Sequence, residues 1–523
     1  MDSSFALPRK VLIFGVCIGL ALLVGYLLAT PTDISSVGVV GIVVIGLLLP
    51  VLMKWHHLLL VATWNASISF YFLPGHPDAW ILMAIIGLGF TVLHRLMSKD
   101  QPAYFLPSLV WPLLFIALVV IITAKNAGGI GIRAIGSSTY GGRNYIFILA
   151  SIAGFFALSS QRINPQKAPL YTLLFFASTV TAVVSNLIFV AGPSLYFLYY
   201  LFPPMLAAGQ AYSEFSVTGS TMTRVTGLAL AAPALTYILL MRYGVQGVLK
   251  LSRAWRLVLY LALIFLGMMG GFRSTVIMSG LLFIILFYVE RLYRTRLLVV
   301  LFLGGVIGVA TLLPFVEKLP MSVQRSISFL PIEVDPRAAY DAQATTEWRL
   351  RLWRVLLPQV PKYFWMGKGF GIDPIDFNLL TENVTRWASY ETEVTIASGS
   401  YHNGPLTLII PLGIWGLAGF LWFAIAALRV MHRNYIYGPP ELKMANTFLY
   451  GYYLMRLIYF IFLYGQFYQD FMIFTGLVGF SLSLNGGLCK KPAEILEPAA
   501  EPVMAELSPA YSPVLPVTPI VAP

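Results

Sequence analysis

The feature that most constrains this chain is a succession of long apolar segments that contain almost no acidic residues. A membrane-spanning helix needs about 20 predominantly apolar residues. A soluble domain carries about 25% charged residues, whereas this chain carries 11%. A soluble enzyme is therefore excluded, and the sequence predicts an all-α polytopic membrane protein with about 12–14 transmembrane helices. The fourteen candidate spans are Val11–Thr30, Ser36–Met53, Leu58–Leu73, Trp80–Met97, Phe105–Thr123, Tyr145–Ser160, Leu170–Ala191, Val225–Met241, Leu257–Gly271, Thr275–Val289, Leu297–Leu313, Leu406–Leu428, Asn446–Tyr464 and Phe467–Leu484.

Basic residues predict which side of the membrane each connection faces. The chain has 34 Lys and Arg residues and a formal net charge of +12. If the N-terminus lies inside and the spans alternate, more than half of these residues fall in short inside connections, as the positive-inside rule requires. The net charge therefore reflects topology rather than a surface for nucleic acid, and both termini are predicted to lie inside.

Two long stretches are not apolar enough to span a membrane. Val316–Gly404 is an outside loop, within which Thr346–Lys362 carries Trp, Leu and Arg at the spacing of an amphipathic helix. The segment after Lys491 is rich in proline and poor in charge, which predicts a disordered tail. The predicted organisation is a transmembrane bundle (1–315), a large outside loop with short helices (316–404), C-terminal transmembrane helices (405–487) and the tail (488–523).

Two arginines at the outer ends of spans are candidates for binding an anion. Arg224 precedes the eighth span, and Arg273 lies between the ninth and the tenth. Neither has an acidic partner nearby in sequence, and a guanidinium group binds phosphate through two parallel hydrogen bonds. Each could instead cap a helix end or extend to the lipid headgroups. Arg143, in the Gly141–Asn144 turn, is a further possible site residue.

Arg456 lies deeper, within the thirteenth predicted span. A charged side chain inside a bilayer costs at least about 2.5–3.5 kcal/mol, so it must face protein or water. The sequence favours a structural hydrogen-bonding role for Arg456, although a role in the site stays open.

His402 is the candidate general base. It lies where the long outside loop re-enters the membrane, followed by Asn403 and by Pro405, which suits the first turn of a helix. This position places His402 at the same outer level as Arg224 and Arg273. A neutral imidazole can accept a proton near pH 7, although His402 could instead be structural. Asn403 is a possible companion of His402 in the site.

Metal and nucleotide motifs are not evident in the sequence. The outside segments contain no His-x-x-His pattern and no cysteine pair, and Asp373–Asp376 resembles a turn more than a metal site. Gly367–Gly371 is glycine-rich, but a lone pattern of this kind is weak evidence for a nucleotide loop. We therefore expect no metal and no other cofactor.

In the order and side of these residues, the chain resembles the superfamily of O-antigen ligases and O-antigen polymerases. The resemblance covers roughly Arg224 to Gly419. One departure is that Pro233 is followed by Ala234, where the family usually has a Pro-Asn pair. The motifs that carry the resemblance are Arg224-x-x-Gly227, Phe272-Arg273-Ser274, Arg349-x-x-x-Trp353, Pro361, Gly367-x-Gly369-x-Gly371, His402-Asn403 and the following span with Leu412–Leu417.

The resemblance implies a bacterial inner-membrane glycosyltransferase with its active site on the periplasmic face. The donor would be a glycan on undecaprenyl pyrophosphate, and the acceptor would be lipid A-core in a ligase or another lipid-linked glycan in a polymerase. Arg224 and Arg273 would stabilise the pyrophosphate, and His402 would act on the acceptor hydroxyl, without metal or nucleotide. The outside loop would then be periplasmic and both termini cytoplasmic. We slightly favour the ligase, and a ligase that glycosylates protein is a third variant.

A transporter or flippase for an anionic lipid is the rival from another class. It would use the same arginines without His402. Transporters coupled to ions usually carry carboxylates inside the membrane and paired broken helices. The sequence shows neither feature, since only Asp470 lies close to a span end, and this favours the enzyme.

Overall fold

The computed structural model describes residues 34–73, 75–97, 106–130, 141–215, 223–372 and 387–491, with a few isolated positions (18, 19, 21, 25 and 104). Most of the predicted span Val11–Thr30, the predicted turn Asp373–Asp376 and the predicted tail after Lys491 lie outside the described residues.

The described part of the chain is helical, and an isolated bridge pairs Ser69 with Asp78. The protein is therefore an all-α polytopic membrane protein, as predicted. The first nine helices are α1 (Ile34–Thr63), α2 (Ala79–Met97), α3 (Pro107–Asn126), α4 (Arg143–Leu158), α5 (Ala168–Ala177), α6 (Ala182–Ala191), α7 (Met205–Phe215), α8 (Thr226–Val248) and α9 (Trp255–Met268).

The second half of the chain contributes nine more helices to the described structure. They are α10 (Arg273–Val289), α11 (Leu297–Leu312), α12 (Met321–Ile327), α13 (Pro336–Leu356), α14 (Gln359–Tyr363), α15 (Trp387–Ser398), α16 (Gly404–Tyr437), α17 (Lys443–Phe462) and α18 (Phe467–Asn485).

Length and composition identify the helices that can cross a membrane. Seven described segments are long and apolar enough: Ala79–Met97, Pro107–Asn126, Pro165–Ala191, Thr226–Val248, Leu297–Lys318, Gly404–Tyr437 and Phe467–Asn485. Four apolar helical segments are shorter: Leu48–Thr63, which is the second part of α1, Arg143–Leu158, Trp255–Met268 and Arg273–Val289. Helix α17 is less apolar, but about half of its residues are buried.

Helix α1 corrects one part of the predicted topology. The segments Ser36–Met53 and Leu58–Leu73 were predicted as two spans, whereas the structure has one helix that ends at Thr63. Lys54 and the two histidines after it interrupt the apolar run, but they do not interrupt the helix. His56 Nδ1 lies 3.2 Å from the Leu52 carbonyl, within the same helix. Because a continuous helix has no reversal, the side of the N-terminus no longer follows from alternation.

The predicted span Leu170–Ala191 is not a continuous α-helix. Helices α5 and α6 are separated by a 3₁₀ turn at Ser178–Thr181. The sequence prediction of one continuous span is corrected here by this short turn. The Thr181 hydroxyl in this turn accepts a hydrogen bond from the Ser67 backbone N–H at 2.8 Å.

The described part of the long loop predicted over 316–404 folds into helices, and α12 packs against α9 and α10 of the bundle. The amphipathic helix predicted from Thr346 begins earlier, at Pro336, and ends at Leu356. The Asp335 side chain caps it by accepting from the Arg337 N–H at 2.8 Å, and Pro336 suits its first turn. The Ser326 hydroxyl of α12 donates to the Met268 carbonyl at 3.0 Å, which joins the loop to the end of α9.

Candidate active site

A single carboxylate joins two arginines that are far apart in sequence. Arg224 Nη2 donates to Asp341 Oδ2 at 2.7 Å. The same oxygen accepts from Arg325 Nε. Burial and the neighbouring Arg325 guanidinium lower the pKa of Arg224. The expectation that Arg224 is unpaired is therefore wrong, because its partner lies in the folded loop.

Arg325 organises this cluster from a buried position. Its side chain is 5% exposed. Besides the bond to Asp341, its Nη1 donates to the Gly271 carbonyl, and its Nη2 donates to Thr345 Oγ1 at 3.0 Å. Gly271 has a φ of 72°, a left-handed conformation that glycine adopts without strain. Arg325 thereby fixes the turn that precedes Arg273.

Arg273 is the first residue of α10 and stays available to a ligand. Its Nη2 donates to Thr346 Oγ1 at 2.9 Å. Among the described residues, no carboxylate forms an ion pair with it. It is near enough to Arg325 and Arg349 for their charges to repel it, and Asp341 attracts it. Arg273 thus keeps hydrogen-bond donors that no described carboxylate uses.

His402 sits in a strained turn between two aromatic rings. Its φ is 54°, which is uncommon for a residue with a side chain. The imidazole makes edge contacts with Trp348 and Tyr464, at centroid distances of 5.2 Å and 5.1 Å. Its Nδ1 is buried, and no described group hydrogen-bonds to it. Burial, and then the positive charge of Arg349, lower the pKa of His402 to about 4, so the ring is neutral near pH 7.

Arg349 links the arginine cluster to His402, and it was not among the predicted site residues. It extends from α13, and its guanidinium carbon lies 5.5 Å from the centroid of the Tyr464 ring. Its charge acts on both Arg273 and His402. The signal that could have found it is the spacing of buried Ala342, Leu352 and Leu356, which places Arg349 on the face of α13 turned toward the bundle.

A cavity of about 840 Å³ opens beside these groups. Of the predicted residues, Arg143, His402 and Arg456 line it, and Arg349 lines it as well. Arg224 and Arg273 are not in the lining, although their chain neighbours Thr226, Phe272 and Ser274 are. The structure thus brings Arg143, His402 and Arg456 to one cavity, and Arg224 and Arg273 are joined to residues that line it.

Residues 257–421 of the chain match the family model described as O-antigen ligase. The resemblance to the O-antigen ligase superfamily is therefore confirmed. The matched region contains Arg273, Asp341, Arg349 and His402, whereas Arg224 precedes it. No curated protein matches the chain. The O-antigen ligase family implies a ligase-like or polymerase-like membrane glycosyltransferase with lipid-linked glycan substrates.

Arg456 and Arg143 lie outside the region that matches O-antigen ligase, and both have carboxylate partners. Arg456 Nη2 pairs with Asp470, whose other oxygen accepts from the Gln466 N–H at 2.7 Å. This buried pair agrees with the structural role that the sequence favoured for Arg456. Arg143 is more exposed and lies 3.4 Å from Asp78. Both arginines line the cavity, so a direct role in binding substrate stays a prediction.

Asn403 has a clear local role. Its side-chain oxygen accepts from the Leu406 N–H at 3.1 Å, which caps the N-terminus of α16. The cap fixes the residue next to His402, and a direct contact of Asn403 with substrate stays a prediction.

In the described ranges, no three His, Cys, Asp or Glu side chains cluster in a way that could hold a metal ion.

Proposed function

We propose that this protein transfers a glycan from undecaprenyl pyrophosphate to an acceptor hydroxyl at the periplasmic face of the bacterial inner membrane, with lipid A-core as the acceptor. One observation carries the proposal: Arg349, which forms no ion pair with a described carboxylate, lies near enough to act electrostatically on both Arg273 and neutral His402, in the region that matches O-antigen ligase. The family match supports the reaction class, and the arrangement supports the residue roles.

The arginine cluster suits a pyrophosphate leaving group. Arg224 and Arg325 both pair with Asp341, and Arg273 lies near enough to Asp341, Arg325 and Arg349 for their charges to act on it. A guanidinium fork matches two phosphate oxygens. As the bond from sugar to phosphate breaks, negative charge grows on the pyrophosphate, and fixed positive charges stabilise that transition state. No metal ion or nucleotide is needed for this step.

His402 is positioned to take the proton of the acceptor. The acceptor oxygen forms a bond to the anomeric carbon while the bond from that carbon to the pyrophosphate oxygen breaks. The pyrophosphate leaves with the bonding electrons, and the acceptor proton moves to the imidazole. Direct displacement inverts the anomeric carbon. A bound pyrophosphate is negatively charged, so it raises the pKa of His402 from its low value toward the range where a base is effective at neutral pH.

A purified enzyme assay tests the proposal. The protein in detergent is mixed with undecaprenyl-pyrophosphate glycan and lipid A-core, with a chelator and without nucleotide, and glycosylated lipid A-core is measured. Product supports a ligase. Joined glycans on the lipid donor would instead indicate a polymerase. If both lipids stay covalently unchanged, the enzyme proposal fails and transport of an anionic lipid becomes the leading alternative.

Two variants separate donor binding from chemistry. Arg273→Ala is expected to lose donor affinity and transfer, and Arg273→Lys to recover only part of both, because an ammonium group lacks the fork. His402→Ala is expected to bind donor but to slow transfer by about 10²–10⁴-fold. His76→Ala, in an exposed turn, is the control for removing a histidine. A His402→Gln enzyme with the wild-type rate would rule out proton transfer by His402.

A further inference from the structure

The cavity has a second wall, formed by irregular backbone within the transmembrane bundle. Helix α1 ends at Thr63, and the Trp64 indole donates to the Met472 carbonyl at 3.3 Å, inside α18. Trp64 also packs against Gly154 and Gly476, which lie well inside α4 and α18. The segment that follows, Asn65–Asp78, therefore starts deep in the bundle rather than at its surface.

This segment is held against the break in the α5–α6 span. The Asn65 side-chain amide donates to the Phe175 carbonyl at 2.8 Å, and the Ser67 N–H donates to Thr181 at 2.8 Å. Backbone without helical hydrogen bonds is tolerated at membrane depth only where it is buried in protein or lines a hydrated cavity. Asn65, Ser67 and Thr179 line the cavity, so this wall faces a hydrophilic ligand or water rather than lipid chains.

The chemistry of the wall suits an uncharged, hydroxyl-rich ligand. Asn65 and Ser67 provide an amide and a hydroxyl group, and Ser69 hydrogen-bonds to Asp78. The Asp78 carboxylate disfavours a second anion here, and its ion pair with Arg143 is long, at 3.4 Å. Trp80 also lines this cavity, although its ring is mostly buried against Trp64 and Phe147.

We propose that Asn65, Ser67 and Asp78 form a subsite for the donor sugar that is bonded directly to the pyrophosphate. This inference rests on the proposed function, which places the pyrophosphate beside Arg273 and Arg349. Because the sugar is attached to that pyrophosphate, its subsite must share a cavity with the cationic residues. The cavity of about 840 Å³ meets this condition, since Arg349 and His402 line it together with Asn65 and Ser67.

Paired lipids that differ only in the sugar test the subsite. Binding of undecaprenyl pyrophosphate and of its monosaccharide-bearing form is measured on the full-length protein in detergent. Ser67→Ala and Asn65→Ala should weaken binding of the glycosylated lipid by about 3–10-fold, the effect of one lost hydrogen bond, and leave the sugar-free lipid unchanged. Ser67 is held through its backbone N–H, so removing its hydroxyl should not disturb folding.

The controls separate this inference from the proposed function. Asn164→Ala, at an exposed turn that caps a short 3₁₀ helix, should bind both lipids as the wild type does. Arg273→Ala should weaken both lipids equally. A sugar-dependent loss in Ser67→Ala or Asn65→Ala supports the subsite, whereas no loss in either, or equal loss for the two lipids, overturns it. Normal binding of both lipids by Arg273→Ala would instead overturn the proposed function.

Discussion

The low pKa of His402 leads to a prediction about how transfer depends on pH. An ordinary histidine has a pKa of about 6.5, whereas burial and Arg349 lower that of His402 to about 4. At pH 7, only about one His402 in a thousand carries a proton in the free enzyme. The pH dependence of kcat/KM reports the free enzyme. As the pH is lowered, kcat/KM should therefore decrease with a midpoint near pH 4 rather than near pH 6.5.

Bound donor should move the titration in the opposite direction. The pyrophosphate brings negative charge close to His402 and so favours its protonated form. The acid limb of kcat, which reports the enzyme–substrate complex, should lie at higher pH than that of kcat/KM. Coincident limbs near pH 6.5 in both profiles would refute the idea that burial and Arg349 keep the free imidazole neutral.

The same groups predict a change of stability with pH. In the unfolded chain His402 titrates near pH 6.5, and in the folded chain near pH 4. The contribution of neutral His402 to the free energy of unfolding is therefore fully present above pH 6.5. It is lost as the pH falls through about 4, below which His402 is protonated in both the folded and the unfolded chain. The gap corresponds to about 3 kcal/mol as an upper estimate. The free energy of unfolding in micelles should fall less steeply for His402→Gln, and parallel curves would contradict this account.

Three further predictions concern the Asp341 ion pairs, the packing around Trp64 and the membrane topology. Asp341→Asn should weaken binding of undecaprenyl pyrophosphate by about 10-fold or more, because each charge-assisted hydrogen bond that fixes the arginines contributes roughly 1.5–3 kcal/mol. Gly476→Ala should lower the free energy of unfolding by about 1–3 kcal/mol, since its methyl group would overlap the Trp64 indole. Reporter fusions after Ile332 and Pro498 should report the periplasm and the cytoplasm, respectively.

Matched measurements decide each of these outcomes. Asp335→Asn removes a carboxylate from an exposed pair with Arg337 and should leave donor binding unchanged. Equal effects of the Asp335 and Asp341 variants would remove Asp341 from the site. Gly280→Ala, where an added methyl group meets no atom within 4 Å, should be tolerated. Fusions that report one common side would overturn the predicted topology.

Much of the membrane fold could be predicted because the thickness of the bilayer sets the length of each apolar segment. About twenty apolar residues are required to cross a membrane, and helices such as α3 and α18 follow their predicted spans closely. Polar residues inside a helix misled the same reasoning at α1, where Lys54 and His56 mark a longer helix rather than a turn. The break at Ser178–Thr181 depends on contacts with Asn65–Asp78 that local sequence does not carry.

The sequence indicated which charged residues are candidates for the site, but it did not indicate how their side chains pair. Arg224, Arg273 and His402 could be identified as candidates because placing an ionisable side chain close to a membrane is costly, and such residues usually have a structural or functional partner. Asp341 could not be paired with Arg224, since the two residues are 117 positions apart. Arg349 belongs to a polar helix of the loop, where an arginine is ordinary in composition, and its place near Arg273 and His402 depends on how α13 packs.

The pattern of contacts makes the long loop a part of the arginine cluster, and so of the proposed active site. Arg224 and Arg273 belong to the ends of transmembrane helices, but their hydrogen-bond partners Asp341 and Thr346 both lie on α13. Arg325, from α12, connects that helix to the Gly271 turn of the bundle. Like charges repel at close range, so the bundle alone has no means of holding these arginines together. We therefore expect the proposed anion site to form only when α12 and α13 dock, so that folding of the loop is coupled to donor binding.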